Sequence, residues 1–263
     1  MMDRFLPLTE CMTSLRNRDQ LVLESIHSYG LLSVSQLRDL HFVSDQMTRR
    51  WLRTAELRGW VRRSRGVTRG SGRPEDVILL GDVGAKMLSV SRRDYRNVAH
   101  QLLVTQFRLL VNGLDHMEVL SAPRFMDDFI PDWVFGLRCK SLNKTLLFFV
   151  EVDRGTEALT GRGNSIEGKI QTYTAYFLSE GYQVLEREWS CALTGFRVLF
   201  YCETAPRILG IQKLCSDRNF IWCSCVDWID SLGMGGLSWV SGNHQEKLSI
   251  LGRLGGSSNV SLP

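Results

Sequence analysis

Apolar residues return every three to four positions through the first 60 residues, and this spacing predicts helices. Three helices are expected, over residues 19–30, 33–42 and 44–59. Ser33 suits the N-cap position of the second, and Ser44 or Asp45 that of the third. Residues 60–63 and 77–80 flank a Gly-rich turn and predict a two-stranded ribbon. Three helices followed by a ribbon are typical of a winged helix, which usually places its third helix in the DNA major groove.

Beyond a short helix that Asp82 is expected to cap, the pattern changes to alternating helices and strands. Strands are expected over residues 116–122, 130–137, 146–153, 196–202 and 220–226, and helices over 94–112, 165–180, 205–215 and 227–232. The run at 196–202 is almost continuously apolar, as in a parallel strand buried on both faces. The fold class is therefore α/β, of the α+β kind.

The same pattern divides the chain into four segments. Residues 1–17 form an N-terminal arm, 18–92 the winged helix, 93–235 the α/β domain, and 236–263 a tail. Residues from Gly233 on are rich in Gly and Ser, so weak order is expected there.

Positive charge is concentrated in one segment of the first domain. The net charge of the 263 residues is only +4, but residues 46–73 hold nine arginines and one acid, Glu56. On the third helix, Met47, Trp51, Leu52 and Leu57 form the expected apolar stripe, with the arginines opposite. The residues assigned to DNA binding are Arg49, Arg50 and Arg53 on that helix and Arg62, Arg63, Arg65, Arg69 and Arg73 on the ribbon. The alternatives are a protein-binding winged helix and arginines that are only solvated.

Carboxylates gather at one end of the hairpin predicted over residues 130–153. Asp132 precedes its first strand, and Glu151 and Asp153 end its second, two residues apart and so on one face. Carboxylate oxygens suit Mg²⁺ or Mn²⁺, and a nearby lysine such as Lys169 would offset charge developing on a phosphate. The alternative is an acidic strand end paired with Arg154 or Lys169.

Composition restricts the remaining possibilities. A hydrophobic fraction of 44% and a charged fraction of 23% are ordinary for a soluble globular protein. No apolar run approaches the roughly 20 residues that span a bilayer, and the N-terminus lacks a signal-peptide core. The seven cysteines are an odd number, several lie in apolar runs, and they are expected to be reduced. A cytoplasmic protein without membrane insertion is predicted.

The order of predicted elements, with Pro131-Asp132 followed by Glu151-Val152-Asp153, resembles the PD-(D/E)XK nuclease fold. Asp153 stands where that superfamily usually has lysine, and Lys169 would supply the ammonium from a migrated position. The longer string F-I-P-D-x-x-F-x-L, F-F-V-E-V-D-R-G-T-E and K-x-x-x-Y-x-x-Y, behind a winged helix, is similar to the replication-relaxation family. The likeness covers roughly residues 18–226, and the EVDRGTE segment is its most specific part.

What the resemblance implies is a site- and strand-specific endonuclease, a relaxase that nicks a plasmid transfer origin to start mobilisation. Asp132, Glu151 and Asp153 would bind Mg²⁺ or Mn²⁺, and Lys169 would stabilise the transition state. The partners would be double-stranded DNA at an origin of transfer or replication, with accessory mobilisation and coupling proteins.

Three further residues are candidates for the same site: Tyr173, Tyr176 and His100. The two tyrosines share a helix face with Lys169, so either one, in place of water, would be the nucleophile, or both only pack. His100 lies on a helix, where a lone histidine is more often structural. Two other functions stay open: a non-catalytic DNA-binding accessory or regulatory protein with a nuclease-like scaffold, and a defence nuclease that cuts both strands.

Overall fold

The computed structural model describes residues 16–67, 74–122, 130–161, 165–215, 217–242 and 246–252, without the side chains of residues 65–67. The chain forms two compact units, Met1–Arg108 and Leu109–Pro263. This division falls later than the boundary that we expected at 92/93. Most of the expected N-terminal arm lies outside the described residues.

The first unit consists of short helices around a small sheet. In chain order its elements are α1 (Asn17–Tyr29), β1 (Leu32–Ser33), α2 (Val34–His41), α3 (Asp45–Leu57), β2 (Val61–Val67), β3 (Glu75–Leu80), α4 (Asp82–Met87) and the start of α5 (Val98–Asn112). Ser33 caps α2 in a capping box with Gln36, and Ser44 caps α3. Asp82 is the first residue of α4 and not its N-cap, which is Gly81.

The sheet of the first unit has the order β1-β3-β2 and is antiparallel throughout. The ribbon predicted from sequence is the β2–β3 pair, with Val61 opposite Leu80. The core of the first unit contains fully buried residues of α1, including Val22, Leu23 and Ile26. These apolar side chains fix α1 against the helices and strands that follow it.

In α3 the observed buried face differs from the expected stripe. Trp51 and Leu52 are buried as predicted, but Met47 and Leu57 are exposed. The buried face is completed by two small residues, Thr48 and Ala55. Small side chains let the helix approach its neighbours closely, and this leaves the two longer apolar residues in solvent.

The second unit is built on one large sheet. Its elements after α5 are β4 (Glu118–Ser121), β5 (Trp133–Cys139), β6 (Lys144–Asp153), α6 (Ile166–Leu178), α7 (Gln183–Glu188), β7 (Gly195–Cys202), α8 (Ala205–Leu214), β8 (Ile221–Cys225), α9 (Val226–Leu232), β9 (Leu237–Ser241) and β10 (Leu248–Ser249). Ser165 caps α6. Helix α7 was not expected from the sequence.

The described strands of this sheet follow the order β10-β9-β8-β7-β6-β5-β4. Strands β5 and β6 pair antiparallel as the predicted hairpin, and β6, β7 and β8 run parallel. A buried core packs one face of the sheet against α6 and α8, through Ile170 and Tyr173 of α6 and Ile208 and Ile211 of α8. The described part of the chain is therefore a mixed α/β structure with two separate sheets.

The segment after Gly233 contradicts the expectation of weak order, as far as it is described. Strand β9 pairs with β8 and carries the fully buried Trp239, and β10 pairs with β9. A sequence rich in Gly and Ser thus still contributes to the core, because a few large apolar side chains alternate with the small residues. Residues 253–263 lie outside the described part.

The composition predicted reduced cysteines and no membrane-spanning segment. The described cysteines are free thiols, and all of them except Cys191 are buried. None of the helices in the described part of the chain combines the length and apolar character that crossing a bilayer requires.

Candidate functional site

Three arginines form the outer surface of α3. Arg49, Arg50 and Arg53 are exposed, opposite the buried face of the helix. Within the described residues their side chains take part in no ion pair. Together with Asp45 and Gln46, the three arginines line a concave pocket with a volume of about 490 Å³. Three guanidinium groups are therefore available to an anionic partner.

A larger cleft of about 600 Å³ lies beside this surface, between α3, the start of α2 and the ribbon. Arg38, Arg49 and Arg63 line it, together with the acids Asp45, Glu75 and Asp76 and four other residues. Arg38 is already paired with Asp45, 3.0 Å between Nη1 and Oδ1. The positive charge of this cleft is thus partly neutralised within the protein.

The arginines predicted for the ribbon are less available than those of α3. Arg62 is paired with Asp94 and also donates to the carbonyl of Arg93 at 3.2 Å. Arg63 bridges Glu56 and Asp76, at 2.9 and 3.1 Å. These contacts hold the ribbon in place. Arg69, Arg73 and the side chain of Arg65 lie outside the described residues.

In the second unit, the hairpin register brings two of the predicted acids together. Trp133 pairs with Val150, which places Asp132 opposite Glu151 on the neighbouring strand. The Asp132 N–H donates to the Val150 carbonyl at 3.0 Å, and Asp132 Oδ2 accepts from the Val152 N–H at 2.7 Å. The backbone therefore fixes the carboxylate of Asp132 at the end of β6.

Glu151 is 4% exposed, and donors from α6 reach both of its oxygens. The Tyr173 hydroxyl donates to Oε1 at 2.5 Å, and Lys169 Nζ lies 2.8 Å from Oε2. Lys169 also reaches Glu157, at 2.9 Å. Since β6 and α6 place these groups independently, the contact is a tertiary ion pair, which is the alternative that the sequence left open for Lys169.

The pKa shifts in this cluster follow from burial and charge. Burial raises the pKa of Glu151; the charge of Lys169 opposes this and that of Asp132 adds to it. Burial acts to lower the pKa of Lys169, but the charges and hydrogen bonds of Glu151 and Glu157 outweigh it, and the pKa is raised. Lys169 is therefore a stable ammonium beside the carboxylates.

Asp153, which is 3% exposed, has a partner that the sequence did not suggest. Arg207 Nε on α8 donates to Oδ2, and the Gly155 N–H donates to Oδ1 at 2.8 Å. Arg207 also donates to the carbonyl of Glu157. An acid at the position where the PD-(D/E)XK pattern has lysine is thus neutralised by a distant arginine. No sequence pattern near Arg207 predicted its contact with Asp153. Glu157 lies in the EVDRGTE segment, but no function was assigned to it from the sequence.

The geometry does not match the metal site that we expected at Asp132, Glu151 and Asp153. Both oxygens of Glu151 and both of Asp153 already accept from protein donors. No three histidine, cysteine, aspartate or glutamate residues of the described part are grouped so as to hold a metal ion. As arranged, these residues do not fit Mg²⁺ or Mn²⁺, because a cation would have to displace cationic or N–H donors.

The remaining candidate residues are Tyr173, Tyr176 and His100. Tyr173 is fully buried; burial and the neighbouring Glu151 raise its pKa well above the usual value, so the phenol keeps its proton. Burial raises the pKa of Tyr176 to about 12, and its ring packs edge-on against Phe149, 5.7 Å between centroids. His100 belongs to the first unit, on α5, whereas the acids belong to the second.

No curated protein matches this chain. One solved structure, a MarR family transcriptional regulator from Silicibacter pomeroyi DSS, is 20% identical over 41% of this chain, with a TM-score of 0.26. The match spans 63% of that regulator, and at this TM-score it carries no argument.

A family model described as replication-relaxation matches residues 23–186. The matched range includes the three arginines of α3 and the cluster of Asp132, Glu151 and Lys169, and it ends before Arg207. It spans more than half of the chain. The chain therefore belongs to the replication-relaxation family.

Proposed function

We propose that this chain is a DNA-binding protein that acts in the replication or mobilisation of DNA. Its first unit would be a winged helix that places α3 in the major groove of a duplex. The observation that carries the proposal is the surface of α3, where Arg49, Arg50 and Arg53 are exposed and outside any described ion pair. Membership of the replication-relaxation family supports the same role.

The shape of the helix suits this role. Thirteen residues make a helix about 20 Å long, and the major groove, about 12 Å wide, admits one helix. Guanidinium groups bind phosphates, and they bind the edge of guanine through two hydrogen bonds. The ion pair between Arg63 and Glu56 holds the ribbon beside α3, so the ribbon would face the DNA backbone as a preformed element.

Replacing Arg49 or Arg53 with alanine is expected to weaken binding to a duplex of about 30 base pairs. Each phosphate contact that is lost should reduce the slope of log K against log salt by about 1. Fluorescence anisotropy at several salt concentrations measures both quantities. Arg187→Ala removes the same charge from α7 of the second unit, where the side chain is exposed, and is the matched control. If all three variants keep the wild-type slope, α3 is not the DNA-contacting helix.

A second candidate is the nicking of one strand at a plasmid transfer origin, as by a relaxase with a PD-(D/E)XK nuclease-like domain. The pairing of Asp132 with Glu151 beside Lys169 favours it, since two acids and a lysine at the end of a hairpin are the residue types that this chemistry uses. Asp132 and Glu151 would hold Mg²⁺ or Mn²⁺, which would polarise the phosphate; in this structure the Glu151 oxygens are bound by Tyr173 and Lys169.

A supercoiled plasmid carrying the cognate origin separates the two candidates. For a nickase, the wild type converts it to open circles with Mn²⁺, whereas Asp132→Asn and Glu151→Gln lose at least about 100-fold in rate and keep their affinity for DNA. For a non-catalytic protein, the wild type and both variants leave the plasmid supercoiled while still binding it. That second result would exclude the nicking of this origin and leave DNA binding as the function.

A further inference from the structure

A basic cleft of the first unit lies on the other side of α3, against the start of α1. Its volume is about 560 Å³. Four arginines and two tryptophans form much of its lining: Arg16, Arg18, Arg50, Arg58, Trp51 and Trp60. None of Arg16, Arg18 and Arg58 was assigned to DNA binding from the sequence.

The acidic residue in this cleft does not neutralise it. Asp19 lies at its base and accepts from the Trp51 indole N–H at 2.8 Å, and one nitrogen of Arg18 approaches it at 3.5 Å. One carboxylate thus faces four guanidinium groups. Among the residues that line this cleft in the described structure, positive charge is therefore in excess.

Two buried donors of the cleft have no acceptor in the described part of the chain. They are the indole Nε1 of Trp60, a residue that is 1% exposed, and the Nε of Arg18. Buried N–H groups are almost always hydrogen-bonded, so two orphans in one cleft point to an acceptor that binds from outside. The guanidinium of Arg58 lies 4.9 Å above the Trp60 ring, which places a cation beside one of these donors.

We infer that this cleft binds a backbone phosphate of the duplex whose major groove receives α3, an inference that rests on the function proposed above. Arg50 lines both this cleft and the arginine surface of α3, so the two surfaces are continuous. A phosphodiester carries anionic oxygens that accept from N–H donors and from guanidinium groups together. The opposite side of α3 has the cleft lined by Arg38, Arg49 and Arg63. A helix in the major groove has one phosphate backbone on each side, and this cleft lies on one of the two sides of α3.

The test measures duplex affinity against salt for Arg58→Ala, Arg58→Lys and Trp60→Phe in the full chain. Arg58→Ala should weaken binding to every duplex sequence by about eightfold at 0.1 M salt and reduce the salt slope by about 1, since one phosphate contact is lost. Arg58→Lys should keep the slope. Trp60→Phe removes a neutral donor, so it should weaken binding and leave the slope unchanged. Arg187→Ala is again the control, and thermal unfolding followed by circular dichroism shows that each variant folds.

The outcomes separate this inference from the proposed function. If the wild type binds duplex and Arg49→Ala weakens it, but Arg58→Ala and Trp60→Phe bind like the wild type, the cleft is not a DNA site and α3 still is. Free inorganic phosphate offers the same anionic oxygens as the DNA backbone. Isothermal titration calorimetry tests whether the cleft binds it. Phosphate binding that Trp60→Phe abolishes, with duplex affinity unchanged, would overturn the assignment to the DNA backbone. If the wild type does not bind duplex at all, the proposed function fails first.

Discussion

Replacing Arg207 with methionine is expected to lower the free energy of unfolding of the second unit by about 3–5 kcal/mol. Arg207 is the cation that pairs with Asp153, whose side chain is 2% exposed. Without it, a buried carboxylate keeps only the Gly155 N–H among the donors described, and an uncompensated buried charge is costly. Denaturation in urea followed by circular dichroism measures the change.

Two controls make this result specific. Arg154→Met breaks a neighbouring pair with Glu203, a residue whose side chain is 37% exposed, and should cost less than about 1 kcal/mol. The double variant Arg207→Met with Asp153→Leu removes both charges and should recover much of the loss, as a double-mutant cycle would show. If Arg207→Met unfolds at the wild-type urea concentration, Asp153 is not held by this pair and its carboxylate is available for another role.

The result also bears on the chemistry of the acidic cluster. A large loss on removing Arg207 would show that Asp153 is held in an ion pair with Arg207, at a position where the PD-(D/E)XK pattern has the catalytic lysine. Any nicking activity would then depend on Asp132 and Glu151, which Lys169 accompanies.

Truncating Trp239 to alanine is expected to destabilise the second unit by about 3–5 kcal/mol. Trp239 lies on β9 and is fully buried, so its removal deletes a large apolar area and leaves a cavity. For a domain of this size, 1 kcal/mol corresponds to roughly 2–4 °C in melting temperature, so the shift should exceed about 6 °C. Scanning calorimetry measures it.

The matched control for this prediction lies on the same strand. Leu237 is 43% exposed, and Leu237→Ala should change the stability by less than about 1 kcal/mol. Equal, small effects of the two substitutions would mean that β9 contributes little to the core. They would restore the expectation of a weakly ordered segment after Gly233.

Much of the local structure could be predicted from the sequence because its signals are local. Ser33, Ser44 and Ser165 each cap a helix by accepting from a backbone N–H three residues ahead. The hairpin of β5 and β6 follows from two apolar runs and a short turn, and its register alone brings Asp132 opposite Glu151. Groups separated by a few residues, or by one tight turn, meet in almost any tertiary context.

Burial was less predictable than helix position. The period of apolar residues in α3 assigned Met47 and Leu57 to the buried stripe, but the neighbouring elements cover Thr48 and Ala55 instead. A helical period gives the direction of a face only approximately, and packing selects the residues within it.

The sequence by itself therefore determined most of the helices and strands, the basic character of α3, the pairing of Asp132 with Glu151, and a family resemblance that the match over residues 23–186 confirmed. Only the tertiary structure decided what the charged groups do. Arg207 reaches Asp153 from 54 positions along the chain, and Arg62 is bound by Asp94 while Arg49 is not paired in the described structure. A charge acts according to its nearest partner and its exposure to water. Both depend on how distant elements pack, which no local pattern of residues records.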